Sequence, residues 1–141
     1  MELLENNDNL KELVDSLTYK EKLERSLTLI EEAYEKYGDG LVVANSLGKD
    51  SVCAWALAKM VSPDIRGFIV TTRFKPAETV QFMYETVKQY PELKVYKNDE
   101  DIPERLYEYD PDRCCNILKV LPTRWAIEEM NVTCWVTGLR C

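Results

Sequence analysis

Leu41-Val-Val-Ala-Asn45-Ser46-Leu-Gly-Lys-Asp-Ser51 is the stretch that decides the fold. Its first five residues are a short apolar run with β-branched side chains, which is typical of a buried parallel strand. The polar loop Ser46–Ser51 follows, and the apolar segment Val52–Val61 after it predicts a buried helix. Because the first amides and the dipole of a helix favour an anion, this order of strand, loop and helix predicts a phosphate or sulfate site.

The rest of the chain repeats the alternation of strand and helix. Strands are predicted at 66–71, 93–96 and 133–137, and helices at 77–90, 101–109 and 116–130. Two amphipathic helices are predicted between residues 9 and 37, the second capped by Thr18 and Glu21. This pattern predicts an α/β fold, a Rossmann-like parallel sheet with helices on both faces. We expect helices in 1–40 to pack on an α/β unit at 41–141, forming one compact domain.

Composition excludes several classes of protein. The net charge is −7 and no basic run is present, which argues against a nucleic-acid binder. The chain has no histidine, the commonest general base and metal ligand. No apolar run approaches the length of a membrane span, and the acidic start has no signal-peptide pattern, so the cytoplasm is the expected compartment.

Five cysteines are present, at positions 53, 114, 115, 134 and 141. An odd number in a reducing compartment argues against a disulfide framework. Cys53 lies in an apolar helix and Cys134 in a strand, so we interpret both as core residues. The tryptophans Trp55, Trp125 and Trp135 are likewise interpreted as core residues rather than adenine-stacking groups.

The loop Ser46–Ser51 contains the groups that an anion site needs. Gly48 lets a ligand approach the backbone closely. Ser46 and Ser51 offer hydroxyl hydrogen bonds, and Lys49 adds a positive charge. Asp50 is interpreted as an N-cap or a supporting group, because a carboxylate facing a phosphate would repel it. The loop is not a Walker loop, which needs a longer spacing between glycine and Gly-Lys.

Ser46-Leu-Gly-Lys-Asp-Ser51 resembles the PP-loop, Ser-Gly-Gly-Lys-Asp-Ser, of the adenine nucleotide α-hydrolase superfamily. That superfamily includes ATP pyrophosphatases and sulfonucleotide reductases. Leu47 departs from the pattern and makes the loop bulkier.

Three further segments are similar to the reductase branch. Thr71-Thr-Arg-Phe-Lys-Pro-Ala-Glu-Thr79 resembles its Asp-Thr-Gly-x-x-x-Pro-Glu-Thr loop, with departures at Thr71, Arg73 and Ala77. Cys114-Cys-Asn-Ile-Leu-Lys-Val-Leu-Pro122 resembles Cys-Cys-x-x-x-Lys-Val-x-Pro of the iron–sulfur enzymes. Trp135-Val-Thr-Gly-Leu-Arg140 resembles Trp-Ile-Thr-Gly-Leu-Arg.

The resemblance implies roles for individual residues. Cys114 and Cys115 would supply two ligands to a [4Fe–4S] cluster, for which thiolates are suited. Lys119, four residues after Cys115 and so on the same helical face, and Arg140 at a strand end would act on the sulfate or phosphate. The residues expected to bind the nucleotide lie in three loops: Ser46, Leu47, Gly48, Lys49, Asp50 and Ser51; Thr71, Thr72, Arg73 and Glu78; and Gly138 and Leu139.

The function that this resemblance implies is reduction of adenylyl sulfate or its 3'-phosphorylated form to sulfite, in assimilatory sulfate reduction. Lys49 is typical of the ATP-cleaving branch, so an ATP pyrophosphatase-type adenylating enzyme, acting in thiolation or sulfate activation, remains an alternative. A non-catalytic nucleotide-binding subunit is the second alternative.

The resembling reductases also have a later Cys-x-x-Cys pair and a nucleophilic cysteine near their carboxyl end. Neither is present after Gly138, where the chain ends with Cys141. We therefore expect a second polypeptide to supply these cysteines in a hetero-oligomer, with truncation as the alternative explanation. A thioredoxin- or ferredoxin-like protein is expected to donate the electrons. The strand at 133–137 is expected to lie inside the sheet.

Overall fold

A four-stranded parallel sheet forms the centre of the computed structural model, which describes residues 7–139, with the backbone alone for residues 7–10. The strands are β1 (Leu41–Ala44), β2 (Arg66–Thr71), β3 (Leu93–Lys97) and β4 (Cys134–Val136). Their order across the sheet is β3-β2-β1-β4, and each neighbouring pair is parallel. The chain moves outward from β1 to β3 and then returns to the other side of β1, so the strand order reverses between β1 and β4.

The helices connect and cover these strands. They are α1 (Asn7–Ser16), α2 (Tyr19–Tyr37), α3 (Lys49–Val61), α4 (Ala77–Gln89), α5 (Leu106–Tyr109), α6 (Pro111–Cys115), a π-helical segment (Asn116–Val120) and α7 (Leu121–Glu129). The predicted cap of α2 is confirmed, since the Thr18 hydroxyl accepts the backbone N–H of Glu21. None of the described helices is long and apolar enough to cross a membrane.

Two predicted helix boundaries are wrong. The helix expected at 101–109 is limited to Leu106–Tyr109. The helix expected from residue 116 begins earlier, at Pro111, where the Asp110 side chain accepts the N–H of Arg113 as a cap. Cys114 and Cys115 therefore lie on a helix that continues into the segment bearing Lys119.

The sheet is covered on both faces, as predicted. Alternate strand residues point to opposite sides, so Leu41 and Val43 pack with α2, α3 and α4, whereas Val42 packs with α7. Ile30 of α2 belongs to the first of these cores, which attaches α2 to the sheet. The fold class is confirmed.

Several expectations about burial are wrong. Trp55 is buried as expected, but Trp125 is 41% and Trp135 44% exposed. Trp135 is exposed because β4 is the edge strand of the described sheet, with β1 as its neighbour, and does not lie inside it. Cys53 is exposed, and Cys134 is half-buried against the core. Cys53 is exposed because one face of α3 is not covered by other elements. The exposed residues Cys53, Ala56 and Met60 follow one another at helical spacing along that face.

A salt bridge joins the end of α3 to the start of β3. The Lys59 ammonium lies 2.5 Å from the Glu92 carboxylate and donates to the carbonyls of Pro63 and Ile65. Burial by itself raises the pKa of Glu92, but hydrogen bonds from Lys59 and from its own backbone, with the Lys59 charge, bring that pKa below its ordinary value of 4.5. The pair therefore stabilises the fold when Glu92 is ionised.

We expect Glu92→Gln to lower the free energy of unfolding at pH 7 by about 0.5–1 kcal/mol, the range for partly exposed ion pairs. Because folding lowers the pKa of Glu92, this contribution is present above pH 4.5 and disappears as the pH falls through the folded-state pKa. Urea titrations of the unaltered protein and of the variant at pH 7 and pH 3 measure this difference in the free energy of unfolding. The control is Glu24→Gln in the exposed Lys20–Glu24 pair, where we expect no change. Equal losses in both variants would contradict the prediction.

Candidate functional site

A cleft of about 410 Å³ opens at the carboxyl ends of β1 and β4. It lies where the strand order reverses, which is the usual ligand position in an open parallel sheet. Residues that follow β1 and β4 line most of it, with contributions from β2 and α7. The lining residues are Ala44, Asn45, Ser46, Gly48, Asp50, Ser51, Phe68, Val70, Thr123, Trp135, Thr137, Gly138 and Leu139.

The loop after β1 is held by an unusual backbone conformation at its second residue. Leu47 has a φ of 66°, in the left-handed region that favours glycine, and the Asn45 side chain accepts its N–H at 2.9 Å. This explains why the resembling loops have glycine at this position. The Leu47 side chain packs against the core and does not line the cleft, so its bulk leaves the cleft open.

The helix α3 begins inside this loop. Gly48 is its N-cap residue, so Asp50 lies within the first turn, and the prediction that Asp50 is the N-cap is wrong. Asp50 lines the cleft. The hydroxyls of Ser46 and Ser51 are 2.7 Å apart, which brings both candidate donors to one place. Lys49 is exposed and is absent from the lining of the cleft.

The end of β4 closes the cleft against the start of α3. A Cβ atom on Gly138 would lie 2.7 Å from the backbone nitrogen of Ser51 and the carbonyl carbon of Asp50. Glycine is therefore required at this close approach of two backbones. By contrast, a Cβ on Gly48 would meet the Ser46 hydroxyl alone, at 3.7 Å, so the space above Gly48 is open.

The loop after β2 belongs mainly to a second cavity. Thr71 is buried, Thr72 lines the second cavity, and Glu78 is exposed in the first turn of α4. The Arg73 guanidinium donates to the backbone carbonyls of Asn98 and Glu100, so in this structure it ties two loops together.

The second cavity, of about 250 Å³, brings the tandem cysteines together with Lys119. Its lining residues are Thr72, Phe74, Tyr107, Pro111, Cys114, Cys115, Leu118 and Lys119. Cys114 is buried and Cys115 is exposed. The rings of Phe74 and Tyr107 meet edge to face, with centroids 5.6 Å apart. Both cysteines therefore line a mostly apolar space with one cation on its wall.

One helix connects the two sites. Lys119 lines the second cavity and Thr123, one turn later, lines the cleft. The Thr123 hydroxyl donates to the Lys119 carbonyl at 2.7 Å. Both sites thus open at the carboxyl end of the sheet and share the wall formed by the π-helical segment and α7.

Sequence reasoning did not identify several lining residues. Asn45, Thr123, Phe74 and Tyr107 were among those missed, although the spacing of four between Lys119 and Thr123 was a usable signal. Trp135, interpreted as core, lines the cleft and stacks on Phe68 at 6.2 Å. Arg140 and Cys141 lie outside the described residues. Within residues 7–139 no group of three or more His, Cys, Asp or Glu side chains could hold a metal ion.

Comparison with known proteins places this site in a family. The model of the phosphoadenosine phosphosulfate reductase domain matches residues 40–141. An adenosine 5'-phosphosulfate reductase from Halalkalibacterium halodurans is 31% identical, in an alignment that covers 94% of this chain and 58% of the relative. A phosphoadenosine 5'-phosphosulfate reductase from Synechococcus sp. is 32% identical over 79% of this chain and 53% of its own length.

A solved structure shares the fold. The phosphoadenylyl-sulfate reductase of Candida auris, in a phosphate complex, superposes with a TM-score of 0.71 at 18% identity, covering all of this chain and 70% of its own. The chain spans little more than half the length of the curated relatives it matches. On the match of the family model, the chain belongs to the phosphoadenosine phosphosulfate reductase domain family.

Proposed function

We propose that this chain is the nucleotide-binding part of a sulfonucleotide reductase, which reduces adenylyl sulfate or its 3'-phosphorylated form to sulfite. The observation that carries the proposal is the pairing of two sites on one sheet edge. The PP-loop cleft and the cavity with tandem cysteines share the helix that bears Lys119 and Thr123. The proposed reduction uses both sites, the first for the nucleotide and the second for thiolate chemistry.

The cleft supports a particular orientation of the nucleotide. The Ser46 and Ser51 hydroxyls and the first-turn amides of α3 suit the phosphosulfate, since a helix start attracts anions. The apolar side of the cleft, formed by Phe68, Val70 and Trp135, suits the adenosine. The sulfate end would then extend toward Lys119, whose ammonium would stabilise the negative charge there.

The chemistry of the second cavity fits two of the thiolates that a [4Fe–4S] cluster requires. We propose that Cys114 and Cys115 would hold the cluster, with Lys119 screening its negative charge. A bound cluster would supply a polarisable, electron-rich centre beside the substrate. The remaining ligands would come from outside residues 7–139, from a second polypeptide or from a further segment of the same chain.

The proposed reaction begins with a cysteine thiolate that likewise comes from outside residues 7–139. The thiolate attacks the sulfate sulfur, a sulfur–sulfur bond forms, and the sulfur–oxygen bond to the 5'-phosphate breaks. Its electron pair leaves with AMP or adenosine 3',5'-bisphosphate, a departure that Lys119 and Arg140 would assist. A thioredoxin- or ferredoxin-like donor then supplies two electrons, which release sulfite and regenerate the thiolate.

We expect Ser46→Ala and Gly48→Val each to weaken binding of adenylyl sulfate, measured by titration calorimetry. Val should have the larger effect, because its side chain blocks approach to the α3 amides, whereas its Cβ would lie at an ordinary distance from the Ser46 hydroxyl. Cys53→Ser is the control, since Cys53 is exposed and outside both cavities. Unchanged affinity for adenylyl sulfate in both variants would contradict the proposed binding site.

Identification of the products formed from each nucleotide distinguishes the proposed reduction from adenylation. With a dithiol reductant and the native partner, adenylyl sulfate or its 3'-phosphorylated form should yield sulfite. Release of pyrophosphate from ATP, with no sulfite formed from either sulfonucleotide, would favour the ATP pyrophosphatase alternative.

A further inference from the structure

Asn98 makes an unusual set of contacts immediately after β3. The residue is 6% exposed, and its Nδ2 donates to the Ile117 carbonyl at 2.9 Å. Its Oδ1 accepts the N–H of Glu100 at 2.9 Å, which closes the turn after the strand. Its own carbonyl accepts the Arg73 guanidinium from the loop after β2, at 3.5 Å. A single buried residue thus contacts two loops and the helix that carries the tandem cysteines.

The Ile117 carbonyl needs a donor from outside its own helix. In an α-helix the Leu121 N–H would bond to it, but that N–H bonds instead to Asn116, five residues back. In the π register the donor would come from residue 122, which is proline and has no N–H. The Ile117 carbonyl is half-buried, and a carbonyl in such a place left without a donor is costly, so the Asn98 amide takes the place of the missing helical bond.

We infer that Asn98 is a positioning residue, which fixes the π-helical segment against the sheet and so sets where Cys114, Cys115 and Lys119 face the second cavity. Pro122 creates the unpaired carbonyl and Asn98 satisfies it, so the two residues act together. The catalytic meaning of this positioning rests on the proposed function. The positioning itself is a property of the chain, and it can be measured without metal or nucleotide.

Alkylation of individual cysteines measures it directly. The metal-free chain is treated with iodoacetamide, and the rate at each cysteine is followed by mass spectrometry. Cys114 is buried beside the π-helical segment, Cys134 is half-buried in the main core, and Cys53 is exposed. The alkylation rate at Cys114 therefore measures the position of the π-helical segment, and the rate at Cys134 measures loosening of the whole fold. The rate at Cys53 measures the reactivity of the reagent with an exposed thiol.

Asn98→Asp is the informative variant, because its carboxylate still accepts the Glu100 N–H but cannot donate to Ile117. It also loses the weaker 3.5 Å bond to the Glu100 carboxylate, and Asn98→Ala removes both donors without adding a charge there. We expect the rate at Cys114 to rise about fivefold, the factor that corresponds to loss of one buried hydrogen bond. The rates at Cys134 and Cys53 should not change. Asn116→Asp makes the same chemical change at an exposed position on the same segment and should leave all three rates unaltered.

A second pair of variants keeps the test decisive if Asn98→Asp folds poorly. Pro122→Ala restores an N–H that can reach the Ile117 carbonyl, so adding it to Asn98→Ala should reverse part of the increase at Cys114. The inference is overturned if Cys114 reactivity is unchanged in both Asn98 variants, if Cys114 and Cys134 rise together, or if Pro122→Ala gives no rescue. Failure to bind iron or to form sulfite would count against the proposed function alone.

Discussion

Gly138→Ala is expected to weaken the binding of adenylyl sulfate by about 10- to 100-fold. The added methyl would lie 2.7 Å from backbone atoms of Asp50 and Ser51, which cannot rotate away as a side-chain tip can. Relieving that clash requires the end of β4 to move away from the start of α3. Overpacking of this kind costs about 1–3 kcal/mol, and a loss of that size in binding gives the stated range.

The measurement combines calorimetry with thermal unfolding. Gly138→Ala should lower both the affinity and the melting temperature, since the contact joins two elements of the fold. Gly48→Ala is the matched control for folding, because its Cβ would meet one hydroxyl at an ordinary distance. We expect that control to retain the melting temperature of the unaltered protein. Wild-type affinity in Gly138→Ala would mean that the nucleotide binds elsewhere.

If Cys114 and Cys115 hold the proposed cluster, the protein purified from its native source without oxygen should contain iron and acid-labile sulfide, and Cys115→Ser is expected to remove both. Serine has nearly the shape of cysteine, but its hydroxyl is a poor ligand for iron–sulfur clusters compared with a thiolate. Cys115 is exposed, so the substitution should leave the fold intact. The broad visible absorbance of the protein should disappear along with the metal.

Cys53→Ser tests whether the effect belongs to the tandem pair. Cys53 is also an exposed thiol, but it lies on α3 and lines neither of the two cavities. Iron content and absorbance should be unchanged in this variant. Retention of iron and colour by Cys115→Ser would show that the second cavity does not hold a cluster through this residue.

Local patterns in the sequence determined the fold class. The β-branched run at Leu41–Ala44 and the alternating strands and helices after it require a parallel sheet covered on both faces, since successive residues of the strand are apolar on both of its sides and the helices have apolar sides to bury against them. The cap at Thr18 and the loop after β1 were likewise evident, because both depend on neighbouring residues. These features needed no knowledge of distant contacts.

Only the tertiary structure decided which residues share a site. Trp135 lines the cleft because β4 is an edge strand of the described sheet, and Arg73 joins two loops because β2 and β3 are neighbours. The partnership of Asn98 with the Ile117 carbonyl spans 19 residues and arises from a missing N–H at Pro122. Such contacts depend on how whole helices and strands pack together. The periodicity of apolar residues indicates which face of a helix or strand is buried, but it does not identify the residues that pack against that face.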